Sequence, residues 1–85
     1  MSLGRVEEGA RLSQESLALR REIGDPAEIA NGLYSLAMKY ITLGRSVDAV
    51  PLLEECKKLT YDLGLPGGYV YSVLAWAKML MYSIL

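Results

Sequence analysis

Glycine recurs every twenty residues along this chain, at Gly4, Gly24, Gly44 and Gly64. Glycine takes up the left-handed backbone that closes a helix more readily than any other residue, so a regular glycine predicts a regular helix stop. The segments between the glycines are rich in Leu, Ala, Glu, Lys and Arg and lack the alternating pattern of strands. Each predicts a helix of about 17–19 residues, roughly 25–28 Å long. The expected fold is therefore all-α, with about four helices of matched length.

Start signals agree with these stops. In Asp25-Pro26-Ala27-Glu28 the aspartate is placed to cap backbone N–H groups, the proline has none to leave unpaired, and Glu28 stands where a capping-box carboxylate reaches back. Ser46 is the expected cap of the third helix. Pro51, about a turn further on, removes a backbone hydrogen bond, which predicts a kink there or a helix that starts later than Ser46. Leu65-Pro66-Gly67-Gly68 separates the third helix from the last.

Several function classes drop out on composition. The 85 residues make one small domain, and 52% of them are hydrophobic, too many for a disordered tail. Nine basic residues against ten acidic ones supply no basic stripe for nucleic acid. The single cysteine, Cys56, cannot form an internal disulfide, and no apolar run follows basic residues at the start, so a cytoplasmic setting is expected. With no histidine there is no His-based triad or His metal ligand, and one cysteine rules out Cys-rich zinc sites. No phosphate-binding glycine loop occurs. The reading is of a non-enzyme, with no catalytic residues, no metal and no cofactor.

Sliding the chain on itself by forty residues aligns more than the glycines. Leu3-Gly4-Arg5 falls on Leu43-Gly44-Arg45, Leu12 on Leu52, Glu15 on Glu55, Leu19 on Leu59, Pro26 on Pro66 and Ala37 on Ala77. Such a period marks stacked helical hairpins, each burying its apolar face on its neighbours. The run Leu33-Tyr34-Ser35-Leu36-Ala37-Met38-Lys39-Tyr40 resembles the first helix of a tetratricopeptide repeat, with large apolar residues at Leu33 and Leu36, a small one at Ala37 and an aromatic at Tyr40. Gly44 matches that family's turn glycine, and Ala49, Leu53 and Cys56 match its second helix. The resemblance spans three incomplete copies: 4–24 as a second helix, 26–64 as a complete helix-turn-helix repeat, and 67–85 as a first helix whose signature places hold Val73, Trp76, Ala77 and Leu80. Gly9 and Ser13 match poorly. The usual repeat has 34 residues, so this is a long-helix variant.

The resemblance implies antiparallel hairpins stacked as part of a right-handed solenoid that works as a protein-interaction scaffold. Position by position it implies a partner groove lined by Asn31, Tyr34, Met38 and Ile41, then by Tyr71, Leu74, Lys78 and Met81. Only Asn31 and Lys78 in that set suit a carboxylate, so the expected occupant is an apolar, helical segment of a partner protein or peptide.

Tyr69 to Leu85 carries one charge, Lys78, yet is too short and wrongly charged for a membrane span. It reads instead as a repeat helix with an exposed apolar face, from an array that extends further or pairs with a second copy. Homo-oligomerisation through this helix, or service as a regulatory segment of a larger signalling or transcription regulator, are the alternative functions. Cys56 reads as small buried filler, the methionines Met38, Met79 and Met81 as core, and the pairs Arg20-Arg21 and Lys57-Lys58 as cations near helix C-termini. The carboxylates, Glu54 and Glu55 included, read as solvated helix faces.

Overall fold

The computed structural model describes residues 3–84. Four helices follow in order, α1 (Leu3–Ile23), α2 (Pro26–Thr42), α3 (Ser46–Leu63) and α4 (Gly68–Ile84), with no strand among the described residues. The Leu85 end of the last expected segment lies outside them.

Gly24, Gly44 and Gly64 end the first three helices with φ of 82°, 76° and 69°. At Gly64 the closure is double: its N–H donates to the Tyr61 carbonyl at 3.1 Å and the Leu65 N–H donates to the Thr60 carbonyl at 3.0 Å. Gly44 and Arg45 repeat the arrangement onto Ile41 and Tyr40, so orphan carbonyls at both helix ends are satisfied. Gly4 shares the spacing but not the role, because α1 starts at Leu3 and Gly4 lies in its first turn.

Asp25 caps α2 as expected, its carboxylate accepting from the Ala27 N–H at 3.1 Å, with Pro26 as the first helical residue. Glu28 does not reach back; it turns to Arg20, whose guanidinium also donates to the Glu28 carbonyl at 3.0 Å. Ser46 is not the cap of α3. The cap position is Arg45, and Ser46 is the first helical residue, buried under its neighbours. Nor does Pro51 delay the helix, which already runs from Ser46. Pro51 and Val47 are both exposed, so water can take the Val47 carbonyl that a residue other than proline would have bonded.

Each helix packs on its chain neighbour, and α2 on α3 is the most extensive contact. Ala37 and Ala49 have no exposed surface, and neither has Leu33 or Leu53. The small pair lets the helix backbones approach while the leucines fill the sides, each burial contributing about 1.5–3 kcal/mol. Tyr40 is buried too; its hydroxyl accepts from the Gln14 amide of α1, and the Arg45 guanidinium lies 4.5 Å from its ring centroid. Alternate helices also touch. Arg21 of α1 grips Glu55 of α3 through two bonds of 2.6 and 2.8 Å, and Tyr34 of α2 meets Tyr69 of α4 edge-on at 5.0 Å. These contacts set α1 beside α3 and α2 beside α4, in two layers.

The last helix departs from the forty-residue register. The link from α1 to α2 is Gly24-Asp25, whereas the link from α3 to α4 is Leu65-Pro66-Gly67 behind Gly64, two residues longer. Two residues turn a helix face by about 200°. On α1, α2 lays Gly32 against Leu17 and Arg20, and Lys39 against Gly9; forty residues on, Ser72 and Met79 are exposed. The stripe of α4 that enters the core is Val70, Leu74 and Ala77, and Trp76, placed by the repeat in a packing position, is 47% exposed.

Candidate protein-binding groove

The N-terminal half of α1 diverges from α2 far enough to leave a groove of about 570 Å³ between them. Arg5, Val6 and Gly9 form one wall; Tyr34, Ser35, Met38, Lys39 and Thr42 form the other. Gly9 is what opens the α1 side: a Cβ there would come within 3.3 Å of the Lys39 stem, which now lies along the bare backbone. Three polar side chains of the α2 wall are bonded within the chain. Lys39 Nζ donates to Ser35 Oγ at 2.9 Å and Thr42 Oγ1 donates to the Met38 carbonyl at 3.0 Å, which leaves Val6, Tyr34, Met38 and the lysine stem as an apolar floor. Past Ser35 the groove continues into a cleft of about 90 Å³ between Ser13, Ser16 and Arg20 of α1 and Gly32 of α2.

The eight residues expected to line a groove are divided by the structure. Tyr34 and Met38 line this one. Asn31 is exposed on the same helix. Ile41 and Leu74 are core residues, 8% and 4% exposed, and cannot meet a partner. Tyr71 and Lys78 face α3: the Lys57 ammonium stands 5.7 Å from the Tyr71 ring centroid, and Lys78 pairs with Glu54 at 3.0 Å. Met81 is half-buried. The half-turn of α4 accounts for Leu74, which it carries inward; Ile41, on α2, is buried in the core cluster. Of the lining residues missed by the sequence reading, Ser35, Lys39 and Thr42 share α2 with Tyr34 and Met38, while Arg5, Val6 and Gly9 lie on the helix that matched the repeat least well, where Gly9 and Ser13, standing where the later copy has Ala49 and Leu53, were the available signal.

The seam between α3 and α4 is electrostatic at its rim. Glu54 accepts from Lys78 and lies 3.2 Å from Lys57, and those bonds, Lys78 first, hold its carboxyl below the ordinary value. Glu55 is lowered likewise by Arg21. These two carboxylates are ties between helices rather than solvated bystanders. Lys57 and Lys58 stand more than a turn before the end of α3, whose last turn holds no cation, whereas Arg20 and Arg21 do occupy the last turn of α1. Cys56 is buried, its thiol donates to the Ala30 carbonyl at 3.3 Å, and burial pushes its pKa up, the reverse of what a reactive thiol needs.

A second surface feature faces away from the core. Trp76, Met79 and Tyr82 of α4 are exposed, Met79 to 70%, which removes it from the expected core. Among the described residues no helix is long and apolar enough to cross a membrane. No family model, curated protein or solved structure matches this chain.

Proposed function

We propose that this chain is a protein-interaction module of the tetratricopeptide-like kind, which seats an apolar, helical polypeptide segment between α1 and α2. The observation that carries this reading is the groove itself: an apolar floor of Val6, Tyr34, Met38 and the Lys39 stem, bordered by Lys39 and Thr42, which hydrogen-bond inside the chain. Tyr34 and Met38 lie on that floor, an aromatic and a thioether that adapt to an incoming side chain. Met38→Glu and Tyr34→Glu place charge on the floor; both side chains are only half-buried, and Met38→Glu, unlike Tyr34→Glu, leaves the Tyr34–Tyr69 contact in place. Binding of a polypeptide captured by the wild-type chain and purified is expected to weaken at least tenfold, with helicity by circular dichroism unchanged. Unaltered binding in both variants removes the groove as the site.

A second reading, self-association, is favoured by the exposed Trp76, Met79 and Tyr82. Large aromatic and thioether side chains left in water on one helix are the kind of surface that association buries.

A further inference from the structure

We infer that the groove between α1 and α2 receives α4 of a second copy of this chain, so that copies join head to tail. This rests on the self-association reading and gives it a defined geometry. The chain carries both halves of the contact. One half is the groove, which with its continuation runs beside α1 from Arg5 to Arg20, sixteen residues and roughly 24 Å. The other is α4, seventeen residues and roughly 25 Å, whose outward face carries the exposed Trp76, Met79 and Tyr82, with Ser72 a turn before Trp76, and holds no acidic residue.

The repeat shows what such a groove holds when it is filled. Arg5, Val6 and Gly9 of the groove wall are the forty-residue equivalents of Arg45, Ser46 and Ala49. In α3 that stretch is covered by α2: Arg45 lies over Tyr40, and Ser46 and Ala49 are buried. The residues of α2 at the family's packing places are Leu33, Leu36 and Tyr40, all buried, and their equivalents in α4 are Val73, Trp76 and Leu80. In α4 the half-turn leaves Trp76 exposed and Val73 and Leu80 only half-buried. The sizes also compensate. Where α3 offers Ala49, Leu53 and Cys56, α1 offers the smaller Gly9, Ser13 and Ser16, and where α2 brings Leu36, α4 brings the larger Trp76. Val70 and Ala77 are committed to the chain's own core, so a second copy's α4 meets α1 through the bulky Trp76 and its half-buried neighbours Val73 and Leu80, set against the small Gly9, Ser13 and Ser16. Because the two surfaces differ, the contact is heterologous and propagates beyond a dimer.

The test uses two blocked variants of the full chain. Trp76→Glu with Met79→Glu disables the α4 face and leaves the groove; Gly9→Glu plugs the groove and leaves α4, and Met38→Glu serves as a second groove block should Gly9→Glu disturb α1. Light scattering after gel filtration reads the mass. The wild-type mass is expected to rise with concentration beyond twice the chain's 9.4 kDa, each variant alone to stay at 9.4 kDa, and an equimolar mixture of one α4 variant and one groove variant to reach twice 9.4 kDa, since one intact groove and one intact α4 remain. Groove variants that still dimerise by themselves would mean that α4 pairs with α4, which overturns the head-to-tail geometry and spares self-association. A wild-type chain monomeric at every concentration overturns both.

Discussion

At Gly44 and Gly64 the backbone sits at φ of 76° and 69°, a region where a Cβ crowds the following carbonyl. Nothing lies within 4 Å of the place a Cβ would occupy at Gly64, so Gly64→Ala tests the backbone alone. The expected loss is about 1–2 kcal/mol, read from the urea midpoint at constant slope. Gly4→Ala is the internal control. That position is also open but helical, and the substitution is expected to be neutral or to stabilise. The residues that close the helices were legible from spacing, while Gly4 was misread because spacing carries no φ. Cys56 was legible as filler for a related reason: its equivalent Ser16 is small as well, and smallness at a repeated position reflects packing.

Helix lengths, ends and order follow from local chemistry, but the face each helix turns inward depends on the link before it. In the forty-residue register α4 begins two residues later than α2 does, which turns it by about half a turn, enough to carry Leu74 into the core and Trp76 out of it. What holds the rotated helix at its rim is Glu54, bridging Lys57 and Lys78 across the α3–α4 seam. Its folded pKa is below the ordinary 4.5, so the stabilisation is full above that value and disappears as pH falls through the lowered one. Pairs this exposed are worth about 0.2–1 kcal/mol each. Glu54→Gln should therefore destabilise by that order at pH 7, with the difference from wild type shrinking once pH drops below about 4. Urea melts at both pH values check it. An equal gap at both would mean that Glu54 acts through packing rather than charge.

For the molecule as a whole, the two end helices are covered on fewer sides than the central pair, α1 packing chiefly on α2 and α4 chiefly on α3. The chain's single tryptophan sits on the outward face of α4 and reports directly on what happens there. Its emission is expected to be that of a solvated indole in dilute solution and to move to shorter wavelength as concentration rises and α4 becomes covered. Emission independent of concentration, alongside a rising mass, would place the contact elsewhere.

The sequence by itself determined the all-α class and the helix boundaries to within a few residues. Both rest on interactions within one helix or one turn, where glycine, proline and side-chain volume act over short range. Only the tertiary structure decided the groove. Its walls come from two helices whose separation depends on how α1 packs along its whole length, and a missing side chain at Gly9 opens it. The same holds for α4: its sequence supplies apolar residues on more than one face, and periodicity cannot choose among them. The length of the preceding link and the shape of α3 made that choice, leaving Tyr34 and Met38 at the groove and Trp76 in water.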